Sequence, residues 1–264
     1  MQQFYLGFRH FINATAFLSK HKLLHYYLYP LLLSIAFYMG ITAFTIRFAE
    51  DITNHIVYLR LPIPEIRMQS TFQSFFKSDF ITGLVSIVVG LIVFYIASKI
   101  SKYLVLIMLS PLFAYLSEIV EEKITGVVYP FNFIQFLKDI LRGIKIAFRN
   151  FILEFVLIGL FTIAGFFVGP FALLIVPFLW LISTYFYGFS MIDYTCERRK
   201  LTVAKSVEFI RQHRYLAIAN GSAYTLLEML PIVGLMIAPI NAVVGATTAV
   251  LELEAKTTKT HHPS

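Results

Sequence analysis

The sequence predicts an all-α integral membrane protein, with two long transmembrane helices, two helical hairpins that insert fully or part way, and amphipathic interfacial helices. Three observations carry this. Phe155 to Ile192 is a run of 38 residues without one charged side chain; a membrane-spanning helix needs about 20 apolar residues for a core of roughly 30 Å. Hydrophobic residues make up 58% of the chain and charged residues 14%, and the mean hydropathy is +0.74, outside the globular balance. Lysine and arginine are also segregated. The stretch 50–79 holds three (Arg60, Arg67, Lys77), whereas the N-terminus, the pair Lys99 and Lys102, and the stretches 118–154 and 193–214 together hold sixteen.

Residues 3–19 repeat apolar positions at spacings of four and three (Phe4, Phe8, Phe11, Thr15, Leu18), with Gln3, Arg9, His10 and Asn13 off that stripe. This predicts an amphipathic helix lying in the interface. Leu23–Ile46 is uncharged between Lys22 and Arg47 and makes the first full span. Pro30 falls in its first turns, where proline is tolerated. The polar stretch 47–79, with Pro62 and Pro64, reads as an extramembrane loop with some helix. A second span begins at Phe80 and resumes beyond Lys99 and Lys102 as far as Leu116, with Pro111 as a candidate kink.

From Phe133 an amphipathic helix carries Lys138, Arg142, Lys145 and Arg149 as one basic stripe. The long apolar run follows, bent at Gly169-Pro170 because proline lacks a donor and glycine permits a tight turn. Its first arm, 155–168, is about 21 Å long and falls short of the core. The stretch 193–214 is the most basic, and a second hairpin spans Tyr215–Leu251, broken near Pro231–Gly234 and again at Pro239. The reading is one membrane domain over 1–251, with a polar tail, 252–264, expected to be disordered. Returning hairpins keep the lysine- and arginine-rich segments on one face. The charge rule makes that face cytoplasmic, with both termini inside.

Composition excludes several classes. The single cysteine, Cys196, cannot form an internal disulfide or a multi-cysteine metal site. The net charge of +7 is accounted for by the positive-inside bias and anionic headgroups, so membrane lipids are expected partners and nucleic acid is not. No nucleophile elbow, P-loop or HExxH motif is present, so nothing calls for an enzyme or a cofactor. His21 and His25 lack a third metal ligand.

Three blocks resemble the CysZ sulfate-permease family, which is related to the eukaryotic etoposide-induced membrane proteins. The first is Ser110-Pro-Leu-Phe113 with Leu116-Ser-Glu118 and Val120–Gly126. The second is Ile192-Asp193-Tyr194 leading into a basic helix. The third is Leu230-Pro-Ile-Val-Gly234, then Ala238-Pro239 and Val244-Gly-Ala-Thr247. The resemblance implies two long transmembrane helices with two part-inserted hairpins, placement in the cell inner membrane, self-association, and sulfate uptake for cysteine synthesis. The family carries a Gly-Leu-Arg motif before the first span, whose arginine is implicated in sulfate binding. Here that stretch reads Ser19-Lys-His-Lys-Leu-Leu-His25, and the equivalent of the arginine falls near Leu24.

A tetrahedral dianion needs convergent N–H groups, hydroxyls and one or two cations. Ser19, Lys20, Lys22 and His25 suit that need, beside the plainer reading of Lys20 and Lys22 as inside-anchoring charges. The stripe Lys138, Arg142, Lys145, Arg149 reads as an anion vestibule or lipid-phosphate surface, against a snorkelling interfacial face. Glu228 is the one charge of the second hairpin. Intramembrane carboxylates are rare and functional by default, so it is a candidate for the transport pathway or proton coupling, or else hydrates a bend. Asn241, Thr247 and Thr248 read as interhelical hydrogen-bonding residues, and Gly245 and Ala246 as close-approach positions. Transport of a small oxyanion is the function this supports; the alternative is a membrane scaffold or lipid-interacting protein.

Overall fold

A computed structural model describes residues 2–57, 79–128, 133–168, 173–230 and 232–261. Among them there are helices and no strands: the protein is an all-α integral membrane protein. The helices are α1 (Gln2–Lys20), α2 (Leu28–Val57), α3 (Asp79–Thr125), α4 (Phe133–Val168), α5 (Val176–Arg198), α6 (Val203–Gln212), α7 (Arg214–Glu228) and α8 (Val233–His261), with a 3-10 turn at Leu24–Tyr27 leading into α2. Among the described residues, five stretches are long and apolar enough to cross a membrane: Leu24–Phe48, Leu104–Thr125, Leu141–Gly165, Leu173–Arg198 and Val233–Lys256.

The chain forms two compact units. One comprises Met1–Leu32 with Leu106–Ser264, the other Leu33–Val105. The smaller consists of the later part of α2 and the earlier part of α3. Its side chains are largely exposed, as at Met39, Ile87 and Leu91, which suits helices meeting lipid rather than a core.

The larger unit is built on α1, α5, α7 and α8, which pack on one another, with α4 and α6 against α5. Its registers follow from named contacts. Between α1 and α8, Arg9 meets Glu252 and Thr15 meets Asn241, an antiparallel pair. Asn220 of α7 donates to the Ala242 carbonyl of α8 at 3.0 Å, again antiparallel. The crossing of α5 and α7 is made by glycine: a Cβ on Gly188 would lie 1.8 Å from the Ala217 carbonyl oxygen, and one on Gly221 would lie 1.7 Å from that of Thr184. Backbone meets backbone there, the contact that small residues permit between membrane helices. Gly245 serves α8 against α1 in the same way, since a Cβ there would lie 2.7 Å from the Phe11 Cα, the close approach expected of it. The core closes on Phe113, Leu116, Phe189, Met191, Ile192 and Ile240, all essentially inaccessible.

Several expectations are corrected. The amphipathic helix from Phe133 and the first hairpin arm are one 36-residue helix, α4, about 54 Å long, because no proline interrupts 133–168. The helix α2 continues to Val57, so the part of the stretch 47–79 up to Val57 is helical; Arg60, Pro62, Pro64, Arg67 and Lys77 lie outside the described residues. Gly169-Pro170 and Pro231 also lie outside them. Pro239 does not break α8. It is buried among α8's contacts with α1 and α7, which outweigh the lost backbone bond. The tail expected to be disordered is helical to His261, and Glu252 and Glu254 pair with Arg9 and Arg199. The buried stripe of α1 is Leu6, Gly7, Phe11, Ala14 and Leu18; Phe4 is 40% exposed. That face is turned by packing on α7 and α8.

Candidate functional site

The polar side chains of the larger unit gather at two separate levels. At the end where α5 leaves its apolar run, Arg142 of α4 donates through Nη1 to Asp193 Oδ2 at 2.8 Å and through Nη2 to Asp193 Oδ1 at 3.0 Å and Ser206 Oγ at 2.6 Å. Glu197 lies 3.5 Å from the same guanidinium. Asp193, Glu197 and Ser206 are buried. One helical turn along, Arg198 pairs with Glu121 of α3 and donates to the Ser117 carbonyl at 2.6 Å. The Ser117 hydroxyl is 2.8 Å from that of Thr247 in α8, and Phe113 meets the Tyr194 ring edge-on with centroids 5.6 Å apart. Segments of α3, α5 and α8 that are far apart in sequence thus meet in one buried node. Burying ions is expensive unless each is paired and hydrogen-bonded, and this bidentate arginine–carboxylate geometry is the strong form.

The basic stripe of α4 is not a single outward face. Lys138 and Lys145 are exposed, whereas Arg142 is turned into the node and Arg149 is half-buried over the Phe189 ring, 5.5 Å from its centroid. At about 100° per residue, Arg142 and Arg149 fall on one side of the stripe and Lys145 on the other. That small offset decides which of them α5 receives.

The N- and C-terminal helices join on the same side of the unit. Arg9 donates to Glu252 Oε2 at 2.5 Å, His10 lies 2.7 Å from it, and Lys256 lies 2.7 Å from Oε1. Arg199 is paired with Glu254. Burial pushes the His10 imidazole below its ordinary value; the Glu252 carboxylate opposes that shift, and the Arg9 and Lys256 charges add to it.

Ser19, Lys20, Lys22 and His25 stand elsewhere, all exposed at the turn that closes α1, about 20 Å along the helix from Arg9. Leu23 N–H donates to the Leu18 carbonyl at 2.8 Å and Lys22 N–H to that of Ser19 at 3.2 Å, with Lys22 at φ 60°. This is the left-handed helix stop that glycine normally fills. The antiparallel registers bring this turn to the same end of the unit as the junction of α7 and α8. Glu228 closes α7 there, half-buried, 3.4 Å from the Tyr224 hydroxyl.

Asn241 and Thr247 link helices as expected, Asn241 accepting from Tyr27 at 2.7 Å. Thr248 does not: its hydroxyl donates to the Val244 and Gly245 carbonyls of its own helix. Sequence reasoning passed over Glu154. It is buried within the α4 span, with Ser183 Oγ donating to it at 2.7 Å. Its signal was its place four residues beyond Asn150, itself buried and 3.3 Å from Ser190, on the face toward α5.

A comparison with individually curated proteins gives no significant match. The family described as "Sulfate transporter CysZ/Etoposide-induced protein 2.4" matches residues 10–239. That range includes most of the helices and the residues of α3 and α5 that build the node. The chain belongs to the sulfate transporter CysZ/etoposide-induced protein 2.4 family.

Proposed function

We propose that this protein carries a small tetrahedral oxyanion, sulfate first, across the cell inner membrane to supply sulfur assimilation. The observation that carries the reading is membership of a sulfate-transporter-type family over residues 10–239. Five apolar stretches of spanning length suit such a role. The exposed side chains at the α1 turn, Ser19, Lys20, Lys22 and His25, are the proposed point of first contact with the anion. Glu228, at the same end of the larger unit, is the proposed proton-coupling group.

The deciding experiment is uptake of radiolabelled sulfate by purified protein in liposomes. Uptake above that of empty vesicles, competed by unlabelled sulfate, is the expected result. Uptake equal to empty vesicles overturns the reading and favours a membrane scaffold or lipid-interacting protein. Glu228→Gln keeps the side-chain shape and removes its titration. If Glu228 couples protons, the variant folds but loses the pH-gradient dependence of uptake; an unchanged pH profile ends that role.

A further inference from the structure

The α1 turn is held from both sides. Thr15 precedes it and Tyr27 follows it, 12 residues apart in sequence, and both reach one side chain of α8. The Tyr27 hydroxyl donates to Asn241 Oδ1 at 2.7 Å, and Asn241 Nδ2 donates to Thr15 Oγ1 at 2.9 Å. The Thr15 and Tyr27 oxygens are 3.1 Å apart. The Thr15 hydroxyl therefore closes a ring in which each group donates once and accepts once.

The place of this ring is costly. Tyr27 and Asn241 are buried, and each belongs to an apolar stretch of spanning length, Leu24–Phe48 and Val233–Lys256. Polar groups there cost free energy unless they are hydrogen-bonded. Apolar side chains would pack the same elements together without that cost. What a fully satisfied polar network adds is uniqueness, because it is complete in one arrangement only.

That arrangement sets the turn. Between the two clasped residues, Leu18, Leu23 and Tyr26 are buried, while Ser19, Lys20, Lys22 and His25 are exposed. The backbone bonds from Leu23 to Leu18 and from Lys22 to Ser19 give the turn its shape. They do not give it a position against α8. The ring does, together with the packing of the 3-10 turn on α1 and α8.

We propose that Tyr27, Asn241 and Thr15 are positioning residues, a clasp that holds the α1 turn in the one arrangement in which its exposed side chains meet the oxyanion together. This deepens the functional reading above and rests on its assignment of the turn as the point of first contact.

The test is hydrogen–deuterium exchange of the full chain in non-ionic detergent, followed at the Lys22 and Leu23 amides. Sodium sulfate is titrated against sodium chloride at equal ionic strength. Sulfate is expected to slow exchange at both amides of the native protein. Tyr27→Phe removes only the hydroxyl. It should exchange faster without sulfate and need about three- to ten-fold more sulfate for half the effect, as for one lost buried hydrogen bond. Thr248→Val loses a hydroxyl of α8 that donates within its own helix and should match the native protein. Thr15→Val removes the exposed member of the ring and keeps the test valid where Tyr27→Phe fails to fold. Exchange in the native turn that ignores sulfate overturns the proposal. So does a half-effect concentration unchanged in both ring variants, or one raised equally in Thr248→Val. None of these readings needs transport. Liposome uptake equal to that of empty vesicles refutes the transport reading, and exchange alone then judges the clasp.

Discussion

At Lys22 two properties coincide, charge and a left-handed backbone at φ 60°. A non-glycine residue pays about 1 kcal/mol for that conformation, so an alanine substitution removes the ammonium and keeps the strain. Lys22→Gly removes the charge and relieves the backbone. If the ammonium contacts the anion, Lys22→Gly raises thermal stability by up to ~1 kcal/mol while weakening sulfate uptake in liposomes; uptake at the native level excludes a role for the charge. Lys200, at φ 55° in an equivalent stop after α5, separates backbone from substrate. Lys200→Gly is expected to give the same stabilisation in a thermal melt with uptake unchanged.

His10 gives a pH dependence of defined sign. Its contact with Glu252 alone would raise its pKa, but burial outweighs it and the net shift is downward from 6.5. The unfolded chain therefore binds this proton more tightly than the folded one. The contribution to stability is complete above pH 6.5 and is lost as pH falls toward the lowered folded value. His10→Gln keeps a donor for Glu252 and cannot titrate. Between about pH 7.5 and 5.5, the window of an imidazole, the melting midpoint should fall more for the native protein than for the variant. Parallel pH curves would show that His10 does not carry the effect.

At the scale of elements, the crossing of α5 and α7 depends on the absence of two Cβ atoms. Gly221→Ala drives a methyl group into the Thr184 carbonyl, a backbone atom with no rotamer to escape by. Overpacking of this kind costs about 1–3 kcal/mol or more, and the helices must part. The expected outcome is a large drop in melting temperature and loss of the monodisperse detergent-solubilised species. Gly40 in α2 has no atom within 4 Å of a built Cβ, so Gly40→Ala is expected to be neutral or to gain up to ~1 kcal/mol from helix propensity. Equal behaviour of the two variants would mean that the crossing is looser than its geometry.

For the whole molecule, the registers collect Arg9, Glu121, Arg142, the stretch 198–214 and Glu252 at one side of the larger unit. Lysine and arginine excess marks the cytoplasmic side, so position 205 is expected inside and position 60 outside. Single cysteines introduced at each position in a Cys196→Ala background, labelled with an impermeant reagent from outside, should react at 60 and not at 205. The reverse pattern inverts the topology.

The class of this protein is a local property of its sequence. Lipid leaves no solvent for unpaired backbone groups, so long uncharged runs such as Phe155–Ile192 must be helical, and the charges between them set their ends. The same local logic found the close-approach role of Gly245. It did not find that Pro239 lies inside a continuous helix, that Arg142 turns inward while Lys145 does not, or that Glu154 is buried against Ser183. Those outcomes depend on which face of one helix meets which face of another. Arg142 meets Asp193 across 51 residues and Arg9 meets Glu252 across 243. A hydropathy pattern fixes that a helix forms and roughly where it ends; the rotation of that helix against its neighbours is set by close packing at sites such as Gly188 and Gly221. Only the tertiary structure therefore decided which arginines are neutralised in the interior, as Arg142 is by Asp193 and Arg198 by Glu121.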